Sequence, residues 1–326
     1  MSALANADQG GPPIASKTLH LKSGEVCGRS VAITSIDGLA VSISGRLLRT
    51  GRVRDEPYEC LHDSEGFVAK LRREQDRPDL FSFMQPIGDQ QPHHPFHCEL
   101  ESLAVLRITT YKEWWKNKIR THTRNHIRKA QKKGVEVHQV PFDDQLVRGV
   151  KAIYDESPLR QGKPFWHYRK DYETIKTGLA TFIDRSDFIG AFWEGELIGF
   201  IKMTSEGGTA GLMHIISMIA HRDKAPNDAL VTKAVELCAE KKISYLHYGL
   251  WSRGGFGKFK ENHGFECHEV PRYFVPLTAK GQLMLKFGLH RKLVDQLPPK
   301  WRERMVAWRN SWNTLRYKQR ANDAAA

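Results

Sequence analysis

Lys260 stands in the run Gly257-Lys258-Phe259-Lys260-Glu261-Asn262-His263-Gly264-Phe265, which follows closely on Tyr245-Leu246-His247-Tyr248-Gly249. The second stretch reads as a strand, the first as a short helix stopped by Gly264. A lysine at such a junction offers a positioned cation, the kind of group that stabilises developing negative charge. Upstream, His214 and Ser217 are the polar members of an otherwise apolar stretch, 212–220. An imidazole with an ordinary pKa of about 6.5 suits proton transfer at neutral pH. The plain alternatives are a solvated helix lysine and a buried histidine with its own partner.

Three more stretches carry side chains with chemical potential. Arg222-Asp223-Lys224-Ala225-Pro226-Asn227-Asp228 leads into a helical pattern, and a helix N-terminus is a natural anion site. Pro226 removes one N–H donor there, although proline is also common at an ordinary helix start. The segment 153–168 mixes acids, bases and aromatics. Asp155 or Glu156 suits an amine, Arg160 and Lys163 suit a phosphate or carboxylate, and Trp166 and His167 complete a lining of the kind found in functional loops. A structured loop capped by aromatics is the bland alternative. From Lys118 to Lys133 there are only basic charges, with Arg120, Arg124 and Arg128 on one helical face. That pattern fits a nucleic-acid footprint, a wall for an anionic substrate, or a solvated face. His93-His94-Pro95-Phe96-His97-Cys98 has no closed zinc spacing, so no metal is expected.

These stretches belong to a chain of 326 residues with 40% hydrophobic content, net charge +13 and mean hydropathy −0.51. The length supports one large domain or two modest ones. The charge implies polyanionic partners: nucleic acid, nucleotide phosphates or an anionic lipid surface. No apolar run approaches the roughly 18 residues of a membrane span. Residues 1–19 lack a basic start followed by an apolar block, so no signal peptide is read. Five scattered cysteines without a Cys-x-x-Cys pair fit a reducing, cytoplasmic setting.

Periodicity supplies the elements that must position the candidates. Alternation over 31–53, broken at Asp37-Gly38 and Ser44-Gly45, predicts hairpins. A short helix over 65–73, a loop over 86–98 and a strand over 104–108 follow. Residues 111–133 read as one helix ended by Gly134. Then come a strand (135–140), helices (143–157 and 168–183), a hairpin (188–193 and 197–203) and a strand (209–220). A helix (226–241), a strand (243–248), a helix (254–262) and a strand (267–276) complete the order. The tail 280–320 has eleven Lys/Arg against two acids. Its stripe Trp301, Met305, Trp308, Trp312, Leu315 suits docking on the protein's own body, or peripheral contact with anionic lipid.

The strand and the helix ending in Gly264-Phe265 resemble the closing motif of GNAT-superfamily acyltransferases, whose helix ends F-Y-x-x-x-G-F. Lys260 takes the Tyr place, and the Phe259-Lys260 pair is similar to that of the Fem-type aminoacyl-transferases of cell-wall synthesis. The run Arg124-Asn125-His126-Ile127-Arg128-Lys129-Ala130 through Gly134-Val135 is similar to an R-x-x-I-R-K-A-x-x-x-G-V run of the same group. The resemblance implies an α/β fold, a GNAT-like mixed sheet flanked by helices, with a smaller N-terminal α/β part and a helical C-terminal tail. The implied division is 1–17 disordered, 18–110 N-terminal subdomain, 111–133 linking helix, 134–277 GNAT-like domain and 278–326 basic tail.

The activity implied is N-acyl transfer, in first place from acetyl-CoA to a primary amine on a small molecule. The alternative is a Fem-type transfer from aminoacyl-tRNA to a cell-wall precursor. A third reading, a non-catalytic nucleic-acid binder, rests on charge alone; the enzyme readings allow a weak tRNA or nucleic-acid contact. Under the resemblance Lys260 assists the reacting carbonyl, His214 serves as base and Tyr248 protonates a leaving thiolate. The donor pyrophosphate falls to Ser217, Arg222, Lys224, Ala225, Asn227 and Asp228, with Ala225 and Asn227 where the superfamily has glycines. The acceptor falls to Asp155, Glu156, Arg160, Lys163, Trp166 and His167. The strands 209–220 and 243–248 should splay apart to admit the donor.

Overall fold

A computed structural model describes residues 22–26, 29–252 and 254–291, with the single positions 304, 308 and 311. The segment 1–17 and all of the tail stripe except Trp308 lie outside the described residues. The first third contains β1 (Lys22–Val26), β2 (Arg29–Ile36), β3 (Leu39–Ser44), β4 (Thr50–Val53), α1 (Ser64–Arg73), β5 (Leu80–Met84) and β6 (His97–Arg107). Next come α2 (Tyr111–Glu113), running into a wide π-type turn, Trp114–Lys118, and α3 (Thr121–Lys132). The rest is β7 (Glu136–Val140), α4 (Asp144–Asp155), the two-residue strands β8 (Leu159–Arg160) and β9 (Lys163–Pro164), α5 (Tyr172–Leu179), β10 (Ser186–Trp193), β11 (Glu196–Glu206), β12 (Thr209–Ser217), α6 (Pro226–Glu240), β13 (Tyr245–Leu250), α7 (Gly254–Asn262), β14 (Glu266–Pro276) and α8 (Ala279–Lys286).

Twelve strands form one mixed sheet in the order β1-β2-β3-β4-β5-β14-β6-β13-β12-β11-β10-β7. The last strand does not return beside β13. It crosses β6 and pairs with β5, so β6 sits between β13 and β14. The early and late parts of the chain are therefore laced through each other's sheet. The sheet is covered on both faces over β10–β12. One apolar cluster unites Ile127 and Ala130 of α3 with Leu230, Val231 and Val235 of α6 against Ile198, Ile201 and Leu212. The other sets Leu146, Val150 and Ile153 of α4 against Phe188 and Phe200. Cover on both faces explains why β11 is an unbroken buried run rather than an alternating one.

The single helix expected over 111–133 is divided. Trp114 is fully buried and donates its indole N–H to the His263 carbonyl at 2.8 Å, which fixes the wide turn. Ile119 is extended, and the Arg124 guanidinium donates to the carbonyls of Trp115, Lys116 and Ile119 that the break exposes. β5 had no counterpart among the expected elements; its five residues are all buried between β4 and β14. The helix expected from 168 starts later because Arg169 has φ 60° and the Asp171 side chain caps at Thr174 N–H. No helix among the described residues is long and apolar enough to cross a membrane.

Candidate functional site: a split between two parallel strands

β12 and β13 pair in parallel over Thr209–Gly211 and Tyr245–His247 only. Beyond that point β12 follows β11 and β13 follows β6. Their main-chain groups past Gly211 and His247 thus have no ladder partner across the gap. β13 bends away through an irregularity between His247 and Leu250, where Gly249 has φ +61°. The splay expected from the sequence is present.

Lys260 lies against the diverging end of β13. Its Nζ donates to the carbonyls of Tyr248 at 2.6 Å and Leu250 at 2.7 Å and sits 4.8 and 4.6 Å from the Tyr248 and Phe256 rings. The residue is 1% exposed, and burial pushes its ammonium down to about 8. Burial also raises the Tyr248 phenol above its usual range. Lys260 is therefore no solvated helix lysine; it ties α7 to the carbonyls that the bend of β13 leaves unpaired.

At the far end of β12 the polar groups are knit to the main chain. The Glu156 carboxylate accepts from the N–H groups of Ile219 and Ala220, at 2.7 and 2.8 Å, and from Arg160 at 3.0 Å. Arg160 also donates to the carbonyls of Ser217 at 2.7 Å and Ile153 at 2.8 Å, and stacks 4.9 Å from the Phe165 ring. Asp155 accepts from Lys151 and from the Arg169 N–H. Lys163 is exposed on the small β8–β9 hairpin. The Trp166 and His167 rings meet at a tilt of 36° with centres 3.6 Å apart, and the Lys170 ammonium lies 4.3 Å from the centre of the Trp166 ring.

His214 and His167 meet, with ring centres 5.8 Å apart. A register shift in β11–β12 sets His214 opposite Lys202. Burial, Lys202 and Lys170 bring His214 down to about 4; burial, His214 and Lys170 bring His167 down to about 3. Both rings are neutral at pH 7. Lys202, fully buried, donates to the carbonyl and hydroxyl of Thr181, and burial lowers it to about 8.

The start of α6 offers few free donors. Pro226 occupies its first turn, Ala225 before it is left-handed at φ 52°, and no side chain caps it. The N–H groups of Arg222, Lys224 and Ala225 donate to Ile219, His221 and Arg222 carbonyls. Arg222 is exposed. The Lys224 ammonium rests 4.1 Å over the Trp193 ring and 3.7 Å from Asp223. Asn227 Oδ1 is buried without a partner, and Asp228 Oδ1 lies 3.4 Å from the buried His263 Nε2. α3 packs alongside, and its exposed Arg128, Lys129, Lys132 and Lys133 continue the basic surface, Lys133 pairing with Asp223. Arg124, bound to three carbonyls, does not share that face's freedom. Of the histidine-rich stretch, His97 meets Glu99, whose Oε1 also accepts from His290 and Arg291.

Two residues that the sequence did not single out stand at the base of the split. His247 is 1% exposed, and its ring lies on Gly211, where a Cβ would fall 2.1 Å from Nε2. Tyr58, from the loop after β4, packs on it at a tilt of 38° with ring centres 5.2 Å apart. His247 was visible as a polar residue in an apolar strand. That Gly211 and Tyr58 enclose it depends on strand pairing and on a contact across some 190 positions.

A scan against protein-family models finds no match, and a search of the curated proteins finds none either. Solved structures do match. The C-terminal domain (DUF2156) of a putative lysylphosphatidylglycerol synthetase from Agrobacterium fabrum aligns at TM-score 0.53 and 12% identity, over 78% of this chain and 87% of that one. L-PGS from Bacillus licheniformis aligns at 0.51 and 14%, over 78% and 87%. FemX aligns at 0.53 and 9%, over 78% and 89%. The fold is GNAT-like and Fem-like. The match spans more than the 134–277 segment on which most of the sequence resemblance rested.

Proposed function

We propose that the chain is an acyltransferase whose donor is an aminoacyl-tRNA, the acyl group entering the β12–β13 split. The observation that carries the choice of donor is the Glu156 carboxylate, which already fills the N–H groups of Ile219 and Ala220. With Pro226 contributing no N–H, the turn before α6 is a poor cradle for the diphosphate of CoA. A basic helix face beside that turn suits a longer polyanion, whose many phosphates are met by exposed Lys and Arg. The name lysylphosphatidylglycerol synthetase, borne by one similar structure, is in keeping with an aminoacyl donor.

In this reading an acceptor nucleophile attacks the ester carbonyl in the split, and main-chain N–H groups there hold the oxyanion. Lys260 fixes the divergent end of β13 as a positioning residue. Acetyl-CoA as donor, the first reading of the sequence, ranks second because the donor turn is degraded in sequence and filled in structure.

The test is a thermal-shift panel with acetyl-CoA, longer acyl-CoAs, UDP-sugars and a mixed aminoacyl-tRNA pool, followed by release of label from the charged tRNA. Stabilisation by tRNA with a salt dependence eased by Arg128→Ala, Lys129→Ala and Lys132→Ala supports the proposal. Stabilisation by acetyl-CoA that Arg222→Ala plus Lys224→Ala abolishes would overturn it.

A further inference from the structure

Behind the base of the split lies a cavity of about 200 Å³. It is walled by the loop after β4 (Glu56, Tyr58, His62), the end of β5 and the β11–β12 hairpin with Glu206. That volume is several times the ~30 Å³ share of a water and below the roughly 300 Å³ of the smallest drug-sized pockets. It suits the head of a small ligand. Two carboxylates and two histidines line it, and no Lys or Arg does. Arg272 holds Glu56 from outside the lining, and Arg185 is shared by Glu206 and Glu59. Two acids on one guanidinium leave an excess of negative charge beside the hairpin.

His247 is the anomaly. It lines the cavity and is 1% exposed; the Pro57 main chain faces the ring, but the two ring nitrogens are not both satisfied. An imidazole so buried has both a donor and an acceptor to satisfy; with Pro57 meeting one, leaving the other unmade costs about 1–3 kcal/mol. Most buried polar groups are paired, so an orphan facing a cavity calls for a ligand. His247 is also the last residue of β13 paired with β12. One side of it therefore borders the cavity and the other the first open position of the split.

We propose that this cavity binds the acceptor as a primary ammonium, with His247 as the group that receives its proton. The inference rests on the acyl-transfer reading for the chemistry that follows binding, but not for binding itself. Glu206 and Glu56 attract the ammonium, which loses one proton to solvent on the way to attack. The amine nitrogen bonds to the ester carbonyl carbon of the aminoacyl-tRNA. Its second proton passes to His247. The ester C–O bond breaks, the ribose oxygen leaves, and that oxygen takes the proton from His247. The products are an amide and a free tRNA hydroxyl. Burial outweighs the hydrogen bond to the Pro57 main chain and, with a smaller contribution from the Lys260 charge, keeps His247 low, at about 4, so the ring is neutral and able to accept at pH 7. The other groups around it are Tyr58, Glu56 and His62 from the loop and Glu206 from the hairpin.

The experiment uses the full chain labelled with ¹⁵N-histidine, the His247 ring signals being assigned by their loss in His247→Asn. n-Propylamine, propionate, n-propanol and glycinamide are titrated at pH 7.5. The expected result is a saturable shift of the His247 nitrogens with n-propylamine and none with propionate or n-propanol. Glu206→Gln should weaken amine binding about tenfold, as loss of one charge-assisted hydrogen bond does. Response to propionate, or no response to the amine, overturns the proposal. Response to glycinamide alone overturns the acceptor assignment, because the cavity would then take the α-ammonium of the donor. In transfer assays His247→Asn should lower kcat about 100-fold, the usual scale of general acid–base catalysis. Its KM for the amine should stay within a few fold, and unchanged kcat overturns the catalytic role. Amine binding without any aminoacyl transfer would support the cavity and sink the donor reading instead.

Discussion

Glu156 and Arg160, at the end of β12 that leads to α6, share five hydrogen bonds with each other and the main chain. His247, where β12 meets β13, is buried more deeply and has at most the Pro57 main chain for its two ring nitrogens. The two places are both polar, both on the split and both assembled from distant segments. At the first, charge is used to hold a loop and a strand end in register. At the second, a side chain is kept desolvated with part of its capacity unused. Satisfied networks rigidify, whereas an unsatisfied buried group persists where something else completes it. The residues that looked most like a binding site in the sequence are tied to the main chain, and the proposed binding residue is one that did not look so.

The largest effect expected is that of Lys260→Met. It leaves the Tyr248 and Leu250 carbonyls without a donor, and should cost about 4 kcal/mol of stability at roughly 1–3 kcal/mol for each buried group left unpaired. A urea melt measures it. If Lys260 were instead aimed at substrate, turnover would fall while the melt stayed unchanged. Glu156→Ala comes next. It strips two N–H groups and Arg160 of their acceptor, and should cost about 3 kcal/mol, the scale of breaking a partly buried ion pair. If the satisfied end of the comparison is purely structural, the tRNA affinity of the folded fraction stays as it was. If acetyl-CoA begins to stabilise this variant, the donor turn is a CoA site blocked by one side chain.

Apart from the two-residue strands β8 and β9, which read as loop, the order of elements from β7 to β14 was legible because the elements had local signals, such as Gly134 after α3 and the paired apolar runs 188–193 and 197–203. The Phe259-Lys260 pair and the R-x-x-I-R-K-A run pointed to the Fem-type fold that the structural likeness bears out. What was not legible is non-local. The insertion of β6 between β13 and β14 leaves no mark on periodicity. Glu156 reads as a candidate amine ligand until Ile219 and Ala220 are seen to hold it, 63 and 64 residues away. The cavity draws on the loop after β4, the end of β5 and two late strands. No single stretch carries its pattern.

Gly211→Ala is a smaller perturbation aimed at the other end of the comparison. The added methyl would overlap the His247 and Tyr58 rings. Overpacking of this kind costs about 2 kcal/mol. It should also push the imidazole towards the cavity and abolish the n-propylamine shift of its nitrogens. Retained amine binding would mean that the ring's seat on Gly211 does not set its aim.

The smallest effect is a slope in acid. His167, His214 and His247 lie at about 3, 4 and 4 in the folded protein, all held down first by burial. In the unfolded chain each returns to about 6.5. Between those values the unfolded state binds more protons, so stability rises with pH across the window. Their contribution is complete above about pH 6.5 and is lost progressively as the pH falls towards 4. Melting temperatures from pH 7.5 to 4.5 should show the decline. His247→Asn should make it shallower by removing one of the three groups, since distant sites add. Glu156→Gln should leave that histidine slope in place while lowering the whole curve. Saturating n-propylamine gives the decisive variation. If the amine occupies the cavity as an ammonium, it binds only the fold in which His247 stays neutral, and the curve should rise most at the neutral end. An equal rise at every pH would mean the amine is bound away from the imidazole, and the contrast between the two ends of β12 would then rest on burial alone.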